Sequence, residues 1–129
     1  MENGKTVVLV IEPEKSNQGA IERQLTAHGV KVIPSFTLFQ GKEFFKANKE
    51  ILDFVFLDDF SESSKMDDIK DLIEYFKSEP SVFKGKIIAI SDHKNDEMIR
   101  VGCDGRWSKN LLSYMKKEGF IKSDEMYKV

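Results

Sequence analysis

Short unbroken apolar runs alternate along the chain with segments whose apolar residues recur every three or four positions. Runs of the first kind suit strands buried on both faces, and segments of the second kind suit helices laid over them, so the pattern predicts a parallel sheet covered on both sides. Five strand–helix pairs can be followed. The first strand is Thr6 to Ile11, and its helix, from about Gln18 to His28, sets Ile21 and Leu25 four apart before Gly29, a residue suited to a left-handed cap. Val30 to Ile33 makes a short second strand ended by Pro34, followed by a helix over Leu38 to Asn48 with Phe44 and Phe45 inward. Phe54 to Leu57 is the third strand, and Met66 to Lys77 its helix, with Ile69, Leu72, Ile73 and Phe76 on one face. Lys86 to Ser91 is the fourth strand, before a short polar helix over Asp96 to Val101. A brief strand around Arg106 and Trp107 precedes a last helix from Leu111 to about Glu118, with Leu112 and Met115 inside.

Right-handed crossovers join these units into an α/β fold, a flavodoxin-like doubly wound (βα)5 three-layer sandwich whose five-stranded parallel sheet has the order 2-1-3-4-5. The expected domain covers residues 1–121, with 122–129 a C-terminal tail or the start of a linker. At 129 residues the chain has one domain's length and buries enough surface to fold without a disulfide or metal staple.

Composition narrows the function classes. The 20 basic and 22 acidic residues give a net charge of −2, without the basic excess of a nucleic-acid binder. No apolar run approaches the about 18 residues of a membrane span, and no basic and apolar leader opens the chain. The single Cys103 excludes an internal disulfide or a CxxC site and fits a cytoplasmic location; it reads as a buried core thiol. Eight acids and two lysines lie between Asp53 and Glu74, whereas six basic residues and three acids follow from Arg106 onward. This is mostly solvated helix surface, and it biases which face a partner approaches.

In a doubly wound sheet, function sits at the carboxyl ends of the strands. The first strand ends in Glu12-Pro13-Glu14, the third in Asp58-Asp59, the fourth in Ser91-Asp92, and the fifth leads into Ser108-Lys109. Carboxylates brought together repel unless a cation joins them, and all-oxygen ligands suit a hard ion such as Mg²⁺. A lysine opposite them neutralises a phosphoryl group, and a serine hydroxyl hydrogen-bonds one of its oxygens. Taken singly, each has a plainer reading: a solvated acidic turn, a strand-end hydroxyl, a surface lysine. Asp59 reads as facing solvent or a metal's outer shell.

With those residues in order, the chain resembles the receiver domains of two-component response regulators over nearly its whole length. Val8-Leu9-Val10-Ile11-Glu12-Pro13-Glu14 resembles that family's opening strand and acidic cluster, and Asp53-Phe54-Val55-Phe56-Leu57-Asp58 the strand ending in its phosphoacceptor aspartate. Ile87-Ile88-Ala89-Ile90-Ser91 resembles the strand ending in Ser or Thr, and the segment from Gly102 to Lys109 the one ending in the signalling lysine. The resemblance implies that Asp58 accepts a phosphoryl group from a histidine kinase or phosphotransfer protein, with Ser91 and Lys109 meeting it. It implies Mg²⁺ on Glu12, Asp58 and the backbone carbonyl of Phe60. A downstream protein would read the face made by the fourth helix, fifth strand and fifth helix, including Arg106 and Trp107, and a homodimer is a further possible assembly. No enzymatic activity is expected beyond the domain's own phosphorylation and dephosphorylation.

The sequence departs from that family's pattern at four places. Pro13 stands where a second metal-binding acid is usual, which leaves Glu14 as a substitute ligand. Asp92 replaces a very small residue, Arg106 the aromatic switch, and Asn110 the proline after the lysine. These fall on metal binding, phosphoryl access and output. The alternative is therefore a pseudo-receiver, a protein-interaction module that works without phosphorylation. A third reading is an enzyme or flavin carrier on a similar fold; against a flavin carrier, the loop from Glu14 to Gly19 lacks the run of hydroxyl and glycine residues that wraps a flavin phosphate. Against a small phosphatase or phosphotransferase, no CxxxxxR loop or reactive cysteine follows a strand.

Overall fold

The computed structural model describes residues 5–60 and 64–121. Its elements are β1 (Val7–Ile11), α1 (Lys15–Ala27), β2 (Lys31–Ser35), α2 (Leu38–Asn48), β3 (Phe54–Leu57), α3 (Met66–Phe76), β4 (Lys86–Ala89), α4 (Asn95–Arg100), β5 (Gly105–Arg106) and α5 (Lys109–Lys117). The strands form one parallel sheet in the order β2-β1-β3-β4-β5, as the apolar pattern predicts.

The period of two along the strands divides the core into two layers. Leu9, Ile11, Val55, Leu57, Ile87 and Ala89 pack with the apolar faces of α2, α3 and α4. The Phe45 ring of α2 lies 4.4 Å from Phe76 of α3 and 5.1 Å from Phe83, which fills that layer with aromatic contacts. Val8, Val10, Phe54, Phe56 and Ile88 face the other way, onto Ile21 and Leu25 of α1 and Leu111 and Met115 of α5. Local chemistry sets several helix starts. The Thr37 hydroxyl accepts the Gln40 N–H, the Ser108 hydroxyl accepts the Leu111 N–H, and Asp68 reaches back to the Lys65 N–H at 2.9 Å.

Several boundaries differ from expectation. β2 runs through Pro34 to Ser35 instead of ending before the proline. Among the described residues it is an edge strand that pairs only with β1, and an edge tolerates a residue without an N–H. The helix α1 begins at Lys15, three residues earlier than its apolar spacing indicates, because Ser16 and Asn17 are exposed in its first turn and carry no apolar signal. β4 stops at Ala89, opposite Leu57 at the end of β3, so Ile90 and Ser91 lie beyond the ladder. α4 spans Asn95–Arg100, one residue earlier at each end than expected. α5 begins at Lys109, where the Ser108 cap starts the helix before its first apolar residue. His28 and Gly29 close α1, with Gly29 at φ 82° in the left-handed region as its position predicts. Cys103 is buried, and burial pushes its thiol up to about 12, so it is an inert packing residue. Among the described residues, no helix is long and apolar enough to cross a membrane.

A candidate acidic cleft at the carboxyl ends of the strands

Register brings the rim together. Ser35, Ile11, Leu57, Ala89 and Arg106 form one row across the sheet, so the residues after them leave the strands at the same level. Glu12 and Asp58 therefore emerge side by side, with the Asp58 N–H still donating to the Ile11 carbonyl at 3.0 Å. Beside them an open cleft of about 520 Å³ is bordered by Pro13, Asp59, Ser91 and Asp92.

Each carboxylate is fixed by a backbone donor two residues on. Glu12, only 3% exposed, accepts the Glu14 N–H at 2.9 Å. Asp58 accepts the Phe60 N–H at 2.9 Å, across a turn in which Phe60 takes φ 51°. A phenylalanine in that region costs about 1–2 kcal/mol, and its buried ring, packed in the α2–α3 layer, holds it there. Burial raises Glu12 to about 7, aided by repulsion from Asp58, Glu14 and Asp92 and opposed by the Glu14 N–H. Asp58 is raised to about 6 by burial and by neighbouring Asp59, against the Phe60 N–H. Both carboxylates are thus poised to gain a cation or a proton.

Of the other expected metal ligands, Phe60 lends its carbonyl to the Ser64 N–H at 2.8 Å, which leaves one of its two lone pairs. Glu14 is exposed and accepts the Ser16 hydroxyl at 2.6 Å. Pro13 offers no oxygen. Among the described residues, no three acidic, histidine or cysteine side chains gather as a metal site. Two carboxylates fit Mg²⁺ in its usual manner, in which one or two acids hold an ion that keeps much of its water. Such a site is weak.

Ser91 and Asp59 meet where the sequence reading did not place them. Asp59 is 6% exposed instead of facing solvent, and its carboxylate accepts the Ser91 hydroxyl at 3.0 Å. Extending the strand period of two past Leu57 and Ala89, which pair, puts Asp59 and Ser91 on one side of the sheet and Asp58 on the other. That parity was available in the sequence. Lys109 is the first residue of α5, next to the Ser108 cap, and its side chain lies outside the described ones, as does that of Asn110.

Arg106 and Trp107 are adjacent yet go to opposite sides. Arg106 is exposed and ion-paired to Asp96 of α4. Trp107 belongs instead to the α1–α5 layer, its ring 5.4 Å from Phe56, at a crevice it shares with Asn17 and Ile21 of α1, Glu12 and Asp92. This corrects the grouping of Trp107 with Arg106 on one face, because successive residues leaving a strand alternate in direction.

No family model matches the chain, and no curated protein does. Solved structures match it throughout. A response regulator from Thermotoga maritima is 17% identical with a TM-score of 0.68, covering 90% of this chain and 98% of that one. A response regulator receiver domain protein from Clostridium thermocellum is 17% identical at a TM-score of 0.69, over 89% and 94% of the two chains. The signal receiver domain of a DNA-binding response regulator from Colwellia psychrerythraea is 18% identical at 0.67, over 88% and 96%. With the strand order 2-1-3-4-5, five flanking helices and an acid closing β3, this chain has the fold of response-regulator receiver domains.

Proposed function

We propose that the chain is a signalling receiver that takes a phosphoryl group onto Asp58 from a histidine kinase or phosphotransfer protein and transmits the change through protein contacts. The observation that carries this reading is the Asp58 carboxylate itself, half-buried at the end of the central strand, held by the Phe60 N–H and set beside Glu12 at an open cleft. In the transfer, an Asp58 oxygen attacks phosphorus as the N–P bond to the donor imidazole breaks, and the imidazole leaves with the bonding pair. Glu12 and Asp58, with the Phe60 carbonyl, would hold Mg²⁺, which supplies positive charge against the phosphoryl oxygens. Lys109, at the start of α5, would pair with the phosphoryl group. Output would pass through the α4–β5–α5 face, where Arg106 already ties β5 to α4 through Asp96, to a downstream protein or a second copy.

A second reading, a pseudo-receiver that works without phosphate, is favoured by one observation: the Ser91 hydroxyl is already engaged by Asp59. Two measurements separate them. Acetyl phosphate with Mg²⁺ should add the mass of one phosphoryl group to the protein and none to Asp58→Asn. Beryllofluoride with Mg²⁺ should change the fluorescence of Trp107, which borders the Glu12 side of the cleft, saturably and only when Asp58 is present. Silence in both favours the pseudo-receiver.

A further inference from the structure

The Ser91 hydroxyl has one proton and two lone pairs, and all three are used. It donates to Asp59 Oδ2 at 3.0 Å and accepts the N–H groups of His93 at 3.3 Å and Lys94 at 3.0 Å. The Ser91 N–H in turn donates to the Asn95 side chain at 2.8 Å. The turn from Ser91 to Asn95 is thus hung on this one residue, and it leads straight into α4, whose Asp96 grips Arg106. Asp59 and Ser91 are each 6% exposed, so water competes little for their bond.

We propose that Asp59 is a positioning residue: its carboxylate holds the Ser91 hydroxyl, and through it the turn before α4, so that Ser91 meets a group on Asp58 only by giving up Asp59. The inference rests on reading Asp58 as the acceptor for its ligand-binding consequence and on the observed hydrogen bonds alone for its structural one. Asp58 and Asp59 both border the cleft, and the single Ser91 hydroxyl proton, already given to Asp59, cannot serve a group on Asp58 as well. The carboxylate next to the acceptor therefore sets the resting position of α4, and a phosphoryl-like ligand works against it.

The test uses the full chain, labelled with nitrogen-15, in five forms: wild type, Asp59→Ala, Asp59→Asn, Ser91→Ala and the double variant Asp59→Ala with Ser91→Ala. Asp59→Ala should move the amide resonances of His93, Lys94 and α4. Ser91→Ala should move the same set, with the double variant adding nothing further. Asp59→Asn, which keeps an acceptor oxygen in place and loses only charge, should leave the His93 and Lys94 resonances near their wild-type positions. Asp59→Ala should also bind beryllofluoride with Mg²⁺ about tenfold more tightly than Asp59→Asn does, because it alone frees the hydroxyl. Unmoved His93 and Lys94 resonances in Asp59→Ala, or equal affinity in the Ala and Asn variants, would overturn the proposal. Moved resonances in a protein that ignores beryllofluoride altogether uphold the holding role of Asp59 and overturn instead the acceptor role of Asp58.

Discussion

Glu12 and Asp58 are carboxylates that the fold makes harder to ionise, at about 7 and about 6. In the unfolded chain both ionise near pH 4, so between there and neutrality the folded state binds more protons than the unfolded one, and stability falls as pH rises through that window. The melting temperature is therefore expected to drop between about pH 4 and about pH 7, the direction that bound protons dictate. Glu12→Gln should flatten that slope while still accepting the Glu14 N–H, and millimolar Mg²⁺ at the upper end should restore part of the loss. A melting temperature that climbs over the same range would show that neither group carries its shift. Asp96 and Arg106 make the opposite kind of pair. Both are exposed, so solvent screens their direct ion pair, and Asp96→Ala should leave the melting temperature unchanged and act on α4 and its partners alone.

Among the elements, α2 shows how closely the layers approach. Gly41 lies in its interior, where glycine is a poor helix former, because a Cβ there would come within 2.6 Å of Ile11 Cδ1. Ile11 is fully buried and β-branched, with no room to turn aside. Gly41→Ala should therefore lose about 1–3 kcal/mol in urea denaturation despite its better helix propensity. Gly85 is held by backbone instead, since its Cβ would stand 2.4 Å from the Asp53 carbonyl oxygen. The elements that the sequence displays most clearly are those with a pure period: α2 and β3 match their predicted spans, and α3 ends one residue short, with Ile69, Leu72, Ile73 and Phe76 buried as expected. What escaped was fixed by position in the sheet. Pro34 is legible as a strand residue only once β2 is known to be an edge, and the early start of α1 has polar residues for its whole first turn.

For the molecule as a whole, the long-range row at the strand ends makes the candidate site legible in part. Glu12 and Asp58 meet as the strand order predicts, because each follows a row residue in register. The Asp59–Ser91 bond is less legible, because both residues lie past the ends of β3 and β4, where no apolar pattern marks which side chains face each other. Stability should follow the same geometry: β1 and β3 lie at the centre with both faces covered, whereas β5 has two residues and one neighbour. Amide exchange should thus be slowest in Val8 to Val10 and Val55 to Leu57 and fastest, among the strands, at Gly105 and Arg106; uniform protection would contradict this ordering. The bond from the Ser91 hydroxyl to Asp59 has a consequence in numbers of molecules. At a net of about 1–1.5 kcal/mol, it leaves the hydroxyl proton free in roughly one molecule in ten. A ligand on Asp58 that needs that proton would bind roughly tenfold more weakly than its contacts alone would give, and anything that releases Asp59 in advance would recover that factor.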